Sequence, residues 1–591
     1  MKDVSLATEN SSFILQLSSL GRFFASPIFL LFAFSVFALA PLTAPGYFSF
    51  AHDARHSVYF LQMFDMSIRD GAWFPRWAAD MTFGYGYPLW LILAPIPFFV
   101  GEAVHLVGFD FVSAVKIVDG LAVLFSALTM YLFAARVLGK NAGLVAAIAY
   151  VYIPYHLVDL YVRASQAELV SFVFPPLVCW AFHGLVTTRH TRYIAFAALA
   201  YAGLVLSHMA MTVLFTPIIG LYILFLLVSR LKEDRKPKAE ADRRNFFQLA
   251  ASRTLPLAFS LALALGIAAI FWLPVLFEQR YLTSEPLVGG FFNYRKHFLN
   301  ANQLLSPFWG YGYAGENGND QFSLQLGLIP VLFTFIALWG WNRVRGEIRA
   351  HIGFFALILF AVVLLVLPIS APLWEPFASI IAFAQFPWRL LIISAFALAF
   401  LSGAAMHALD DTDKLAPMLA AVLLLVTANY PYTQPQHTEA VFNYQTQMEF
   451  EVKYGELLGD TIWMTGARPT TSPLVPQYIA GEKLTKAIAL DDFARVETIR
   501  YGGQSVDVHV ESNQPARVLL YTHYFPGWTA TIDNRPIDIE PFGEQGLILV
   551  NAPAGSHIVA LRFQDTPIRQ IGTLASMVSV IIALAIWRLS K

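Results

Sequence analysis

Long apolar runs recur along almost the whole sequence, and they constrain its fold more than any other feature. A run of about 20 apolar residues can cross the hydrocarbon core of a bilayer as an α-helix. Only 13% of the 591 residues are charged, against about 25% in soluble proteins. The sequence therefore predicts an all-α polytopic membrane protein of about 12 transmembrane helices, near residues 23–43, 113–135, 142–161, 168–186, 193–207, 210–229, 254–277, 324–341, 352–369, 390–409, 415–430 and 570–588.

One further apolar stretch, residues 88–107, is predicted not to cross the membrane. It contains Pro88, Pro95 and Pro97, each of which interrupts helix hydrogen bonding. Cytoplasmic loops are enriched in Lys and Arg. If 88–107 stays on one side, the basic segments "RVLGKN", "TTRHTRY", "SRLKEDRKPKAEADRRN", "WNRVRGEIR" and "WRLSK" all share a side. Both termini are then cytoplasmic.

This topology predicts three regions in a multi-pass membrane protein. Residues 1–430 form the transmembrane domain, and its first outer loop is 44–112. Residues 431–569 form a periplasmic or extracellular domain with a linker, and 570–591 form the last membrane helix and a cytoplasmic tail. The net charge of −1 and the lack of a long basic run that could form a phosphate-binding groove predict no nucleic-acid partner.

The outer domain has the sequence pattern of β-strands. In "SVDVHVES", Val506, Val508 and Val510 alternate with polar residues, which is the period of a half-buried strand. Pro, Gly and Asn turns separate the strands that follow. We predict an antiparallel β-sandwich over about 485–566. Such a domain can bind sugars or serve as a packing module, and no pattern here marks a sugar site.

The first outer loop opens with a cluster of polar residues, "HDARH". Asp53 and His56 are three residues apart and share one face of a predicted amphipathic helix. An aspartate there can act as a general base for an attacking hydroxyl, and a nearby imidazole can orient it or help to bind a metal. Asp is also a common helix N-cap, so a purely structural role for Asp53 is an equal alternative.

Other charged residues of the predicted outer face are candidates for the same site. They are Arg163, Glu168, Arg295, His297 and Arg389. A carboxylate on an apolar helix, such as Glu168, is costly unless it is paired or functional, and Arg163 can simply be its partner. The basic cluster "NYRKHF" suits a phosphate or lipid headgroups. Arg389, beside Trp388, can equally be an interfacial anchor.

Several motifs together resemble those of a known superfamily. They are "GAWFPRWAADMTFGYGYPLW", "YVRASQAELVSFVFPPL", "LSHM", "FWLPVLFE", "NYRKHF", "QFPWR" and "YFPGWTATIDNRPI". In this order they resemble bacterial membrane proteins that belong or are related to the GT-C glycosyltransferase superfamily. The chain is most similar to the 6-pyruvoyl-tetrahydropterin synthase-related membrane proteins, and its C-terminal part is similar to the outer domain of YfhO-like proteins.

The resemblance implies a site and its cofactor. Asp53 matches the essential acidic residue of the first outer loop in GT-C enzymes. Glu168 is the best match for the acidic residue of the next outer loop, with Asp159 as second choice. The first loop shows "HD" where many members have an acidic pair, which puts metal dependence in doubt. A divalent metal, Mg or Mn, would be held by Asp53, His56 and Glu168.

The resemblance to bacterial proteins implies a location in the bacterial inner (plasma) membrane. The implied reaction is an inverting sugar transfer on the outer face of that membrane. Nucleotide sugars are made in the cytoplasm, so the expected donor is a polyprenyl-phosphate sugar in the membrane lipid, and the acceptor is a glycan, lipid or protein. Inversion needs a base for the acceptor hydroxyl and positive charge at the leaving phosphate. Asp53 is the expected catalytic base. The expected donor-binding residues are Arg163, Arg295, His297 and Arg389.

Two other functions fit the sequence. A transporter tends to have inverted repeats and charged or broken helices at mid-membrane, whereas this chain shows no repeat and its charges lie at the outer ends of its helices. A non-catalytic GT-C-like subunit or scaffold of a membrane complex, with membrane-protein partners, is the stronger alternative.

Overall fold

Apolar helices form most of the molecule. The structure is a computed structural model that describes residues 26–234, 243–283, 289–409, 414–457 and 459–590. Within these ranges, seven helices are long and apolar enough to cross a membrane, or nine if each of two bent helix pairs is one span. The remaining predicted spans fall on three shorter apolar helices. The count of 12 spans stays a prediction, because length and composition alone support up to nine.

The bounds of these helices follow the apolar runs closely. The long helices are Phe111–Leu138, Gln166–Thr188, Met209–Leu231, Gly346–Leu365, Pro387–Ala408, Leu415–Thr433 and Pro567–Leu589. The bent pairs are Lys140–Tyr152 with Pro154–Arg163 (42°) and Ala251–Ile267 with Ala269–Tyr281 (71°). The shorter helices are Pro27–Thr43, Arg192–Ser207 and Leu328–Asn342.

Local sequence signals start and end the first long helix. Asp110 caps Phe111–Leu138, because its carboxylate accepts a hydrogen bond from Ser113 N at 3.0 Å. Gly139 ends the helix with a φ of 88°, which glycine adopts without a steric penalty. The next helix begins at Lys140, so the two helices form a tight hairpin.

Residues 88–107 form two short helices, Leu89–Ile92 and Ile96–Leu106. The longer one has 11 residues, which at 1.5 Å per residue reach roughly 16 Å, about half of the hydrocarbon thickness of a bilayer. Pro95 stands at its start and separates it from the first helix. That residues 88–107 do not cross the membrane stays a prediction.

The C-terminal region contains two antiparallel sheets. The strands are β1 Ala487–Ala489, β2 Ala494–Tyr501, β3 Ser505–Ser512, β4 Ala516–His523, β5 Trp528–Ile532, β6 Arg535–Ile537, β7 Glu540–Phe542, β8 Leu547–Ala552 and β9 Gly555–Phe563. One sheet has the order β1-β4-β8-β7 and the other β2-β3-β9-β5-β6. Val508 pairs with Val559 in one sheet and Val518 with Val550 in the other. All four valines belong to a single hydrophobic core, so the two sheets share one interior.

The first outer loop packs against this β region. Trp77 is 1% exposed, and its ring lies 5.3 Å from Trp528 and 5.2 Å from Phe563. A Cβ on Gly86, where φ is +84°, would lie 2.4 Å from the Trp77 indole. Only glycine fits at that position, because both the backbone and the indole exclude a side chain. The loop that carries Asp53 is therefore held by the β region as well as by membrane helices.

Trp77→Ala is expected to weaken this attachment strongly. Removal of a buried Trp side chain typically costs about 3–5 kcal/mol, because it leaves a cavity. We expect a lower thermal unfolding midpoint and faster proteolysis in the linker between residues 431 and 484. Trp73 lies in the same loop with 56% exposure, so Trp73→Ala is the matched control and should behave as wild type. Equal midpoints for the two variants would contradict the packing role of Trp77.

Candidate active site

Backbone hydrogen bonds join the first outer loop to the end of a membrane helix. His52 N donates to Val162 O at 3.1 Å, and Asp53 N donates to Arg163 O at 2.7 Å. Both acceptors belong to a five-residue π-helical turn, Asp159–Arg163. Such widened turns are frequent at functional sites. These two bonds bring Asp53 next to Arg163.

The Asp53 carboxylate stands at the N-cap position of the helix Ala54–Arg69 but does not cap it. The backbone (φ −105°, ψ 8°) is not extended as in a usual N-cap, and the side chain makes no capping hydrogen bond. In the part of the chain that the structure describes, no hydrogen bond or ion pair reaches the carboxylate. The alternative role as a helix cap is therefore not supported. The half-buried carboxylate is available to accept a proton.

A buried ion-pair cluster centred on Glu168 lies next to this loop. Glu168 Oε1 accepts from the Tyr155 hydroxyl at 2.7 Å. Glu168 Oε2 is 2.8 Å from Arg163 Nη2 and 3.5 Å from Arg389 Nε. Arg163 Nη1 also donates to Asp159 Oδ1 at 2.6 Å. A buried carboxylate is tolerated only when it is paired and hydrogen-bonded, and here two guanidinium groups share it.

Asp53 and this cluster interact electrostatically. The charge of Asp53 acts on Asp159, Arg389 and His208. Asp159 and Glu168 are both 0% exposed and bound to arginine, whereas Asp53 is half-buried without such a partner. Of these three acidic groups, Asp53 is the one that a ligand from outside can meet.

His52, the residue before Asp53, contacts the segment around Gly312 and Tyr313. Its Nε2 donates to Gly312 O at 2.9 Å, and its ring stacks on Tyr313 at 4.9 Å. Burial lowers the pKa of the His52 imidazole below its usual range. The ring is therefore neutral at pH 7 and retains Nδ1 as an acceptor.

His56 turns away from Asp53. Its Nε2 lies 3.6 Å from Glu456 Oε2, and its ring contacts Phe60 and Phe450 at 5.6 and 5.7 Å. No hydrogen bond or ion pair joins His56 and Asp53 among the residues that the structure describes. The expected support of Asp53 by His56 is thus not formed, because the imidazole faces the linker helix Tyr444–Tyr454 and the residues that follow it.

The expected metal ligands Asp53, His56 and Glu168 do not converge. Glu168 is bound by Arg163 and Tyr155, and His56 faces Glu456. Across the described ranges, the group of three His, Cys, Asp or Glu side chains close enough to hold one ion is His183, Glu347 and His351. The residues around Asp53 therefore do not fit a metal in this arrangement.

Arg295 and His297 have other partners. Arg295 makes two hydrogen bonds to the Glu375 carboxylate, at 2.8 Å from Nε and 2.6 Å from Nη2. His297 is 1% exposed, and both ring nitrogens face backbone carbonyls, Gly315 O at 3.1 Å and Phe291 O at 2.6 Å. The predicted phosphate-binding role of this pair would require those contacts to break. Arg163 and Arg389, in contrast, lie together in the cluster around Glu168.

Two contributors to the cluster were not assigned from sequence. Tyr155 holds Glu168, and an isolated tyrosine in an apolar run gives no signal of such a role. Trp388, considered as an interfacial anchor, is 2% exposed and lies 4.8 Å from the Arg163 guanidinium. This cation–π contact with Arg163 makes it part of the cluster.

Comparisons with known proteins agree with the sequence motifs. Residues 94–240 match the sequence profile of the family described as dolichyl-phosphate-mannose-protein mannosyltransferase. A Lactococcus lactis subsp. cremoris protein, described as uncharacterized, is 24% identical over 318 residues. That alignment covers 51% of this chain and 47% of the relative, so the chain spans about half the length of the relative it matches.

Two solved structures are similar at low TM-scores. Arabinofuranosyltransferase AftD from Mycobacteria has a TM-score of 0.44 and 14% identity, over 72% of this chain and 30% of that chain. Oligosaccharyltransferase from Archaeoglobus fulgidus has a TM-score of 0.37 and 13% identity, over 72% of this chain and 55% of that chain. By the family match, the segment 94–240 of this chain is similar to the dolichyl-phosphate-mannose-protein mannosyltransferase family.

Proposed function

We propose that this chain is a glycosyltransferase that moves a sugar from a polyprenyl-phosphate donor to an acceptor on the outer face of the membrane. The observation that carries the proposal is the Asp53 carboxylate, half-buried and without a partner in the described structure, beside the buried cluster of Glu168, Arg163 and Arg389. A general base must reach the acceptor proton with a free lone pair. Asp53 meets that requirement, whereas Asp159 and Glu168 are occupied by arginine.

In this proposal the two arginines of the cluster have different roles. Arg163 is 3% exposed in its side chain and is bound by Asp159 and Glu168, so it positions the loop through its backbone bond to Asp53. Arg389 is 11% exposed in its side chain, and its Nε lies 3.5 Å from Glu168 without a hydrogen bond. Its Nη1 donates to Ala384 O and to Gln385 Oε1, each at 2.9 Å, so we assign the unbonded Nε to the donor phosphate. Positive charge there stabilises the leaving phosphate.

The proposed reaction is a single displacement in which Asp53 accepts the proton of the acceptor hydroxyl. The acceptor hydroxyl attacks the anomeric carbon, its proton passes to a carboxylate oxygen of Asp53, and the bond to the polyprenyl phosphate breaks. The phosphate leaves with the bonding electron pair and stays in the membrane with its lipid. We derive no step through a metal, since Asp53, His56 and Glu168 do not converge.

A transfer assay on the purified full-length chain tests the proposal. The assay combines polyprenyl-phosphate sugars with a panel of sugar, lipid and peptide acceptors, and mass spectrometry identifies the product. We expect transfer from the lipid-linked donor and none from nucleotide sugars. Binding of polyprenyl phosphate without transfer to any acceptor would favour the non-catalytic subunit over the enzyme.

Cysteine labelling tests the orientation that the proposal needs. Cys179 is the single cysteine of the sequence, and Cys179→Ala gives a background free of thiols. In intact cells a membrane-impermeant maleimide should react with Ser556→Cys, in the β region, and not with His190→Cys, in a predicted cytoplasmic loop. Both positions are exposed. The reverse pattern would put Asp53 in the cytoplasm and exclude the proposed donor side.

A further inference from the structure

A second group of ligating side chains lies far from Asp53. His183, Glu347 and His351 each offer one nitrogen or oxygen atom, and these three atoms lie within 4.8 Å of one another. His183 lies on the helix Gln166–Thr188, which carries Glu168 near its other end. Glu168 and His183 are 15 positions apart, which corresponds to roughly 22 Å of helix. This group is thus distinct from the proposed active site.

The spacing of two ligands follows from helix geometry. Glu347 and His351 are four residues apart on the helix Gly346–Leu365, so they share one face. His183 reaches them from a neighbouring helix, with a ring nitrogen, Nε2, 2.7 Å from Glu347 Oε1. Two imidazoles and one carboxylate are a ligand set that suits Zn²⁺ and similar transition metals, with a fourth position left for water.

The hydrogen bonds of His351 prepare it as a ligand. Its Nδ1 lies 2.8 Å from the backbone oxygen of Glu347 and must donate to it. The lone pair is then on Nε2, which lies 3.2 Å from the Tyr222 hydroxyl. A backbone carbonyl that fixes the tautomer in this way is typical of metal-binding histidines. His351 is 1% exposed, so the ring is also held in place by packing.

The surroundings of His183 also indicate a bound metal ion. His183 is 4% exposed, and within the described part of the chain its Nδ1 has no hydrogen-bond partner. Most buried polar atoms are paired, so His183 keeps a ring nitrogen that the described residues do not use, while its Nε2 faces Glu347. The Glu347 side chain is 41% exposed and gives the ion a path from solvent.

Arg230 and the Tyr222 hydroxyl, which lies at the His351 lone pair, compete with an ion for these ligands. Arg230 Nη2 donates to Glu347 Oε1 at 3.2 Å, and the Arg230 side chain is 25% exposed. A divalent ion would displace the guanidinium from this oxygen. Ion pairs near the surface contribute little free energy, and a long arginine side chain can move into solvent. The free-energy cost of displacing Arg230 is therefore small compared with the gain from metal coordination by three ligands.

We propose that His183, Glu347 and His351 form a divalent transition-metal site that joins the helices Gln166–Thr188 and Gly346–Leu365. The ion would hold these two helices together at the end of the His183 helix that is opposite to Glu168. The proposal does not depend on sugar transfer.

Metal binding to the full-length chain tests this directly. The protein carries an affinity tag without histidine, is stripped with a chelator, and is titrated with Zn²⁺ in detergent. Elemental analysis after gel filtration should give about one Zn²⁺ per chain, the stoichiometry of a single three-ligand site. Co²⁺ should produce visible absorption bands of a nitrogen- and oxygen-ligated ion. Zn²⁺ should also raise the thermal unfolding midpoint of the stripped protein.

Variants distinguish this site from surface binding. His183→Gln and His351→Gln should each weaken Zn²⁺ binding at least about tenfold and abolish the Co²⁺ bands. His190→Gln, an exposed histidine in the loop that follows the His183 helix, should bind as wild type. If a histidine variant does not fold, Glu347→Gln replaces it, since that side chain is partly exposed. If no metal is retained, or if all variants bind Zn²⁺ equally, His183, Glu347 and Arg230 form ion pairs without a metal. Either result would overturn the proposal.

Discussion

Asp53→Asn lowers sugar transfer by roughly 10²–10⁴-fold in the proposed mechanism, the usual contribution of a general base. Asn has nearly the size and hydrogen-bonding reach of Asp, but it does not take up the acceptor proton. The Asp53 carboxylate has no partner among the described residues, so the substitution breaks no ion pair. We therefore expect an unchanged unfolding midpoint and unchanged binding of the lipid-linked donor.

Asp110→Asn is the matched control for this variant. Asp110 lies in the same outer loop and does cap a helix, through its bond to Ser113 N. Asn is as good an N-cap as Asp, so Asp110→Asn should fold and transfer sugar as wild type. Transfer by Asp53→Asn at the wild-type rate would remove Asp53 from catalysis.

Glu168→Gln is expected to destabilise the whole chain. Glu168 is 0% exposed and bound by the guanidinium groups of Arg163 and Arg389. Loss of the Glu168 charge leaves two buried guanidinium groups with less negative charge beside them. Breaking a buried ion pair in this way costs about 3–5 kcal/mol. Gln retains an oxygen for the Tyr155 hydroxyl, so the loss reports mainly on the ion pairs.

The unfolding midpoint in detergent, followed by tryptophan fluorescence, measures this loss. Glu375→Gln is the control, since Glu375 pairs with Arg295 at the surface, where such pairs contribute little. We expect a much lower unfolding midpoint for Glu168→Gln than for wild type, and a midpoint close to that of wild type for Glu375→Gln. Similar midpoints in both variants would show that the cluster does not hold the helix ends together.

The helical part of the fold was predictable because its signal is local. A run of about 20 apolar residues leaves few alternatives to a membrane helix, and the structure has an apolar helix on each predicted run. The three prolines of 88–107 act locally as well, and the structure has two short helices there. The alternation around Val508 likewise gave the strand β3.

The composition of the site was predictable only in part, because contacts between distant segments decide it. A charge such as Glu168 in an apolar run must find a partner, so Arg163 and Arg389 could be named as candidates. Helix periodicity put His56 on the face of Asp53, but the loop entering the helix turns Asp53 toward Arg163. The partners of Arg295 and His297 come from residues 291–375, and local patterns do not indicate such pairings.

The central claim is that a lipid-linked sugar binds between Asp53 and Arg389. A cryo-EM structure of the Asp53→Asn chain in lipid nanodiscs with a polyprenyl-phosphate sugar tests it most directly. We expect the donor phosphate at the Arg389 guanidinium, with the face of the anomeric carbon opposite to the phosphate directed toward residue 53. Donor bound instead at Arg295 and His297, with residue 53 out of reach of the sugar, would contradict it.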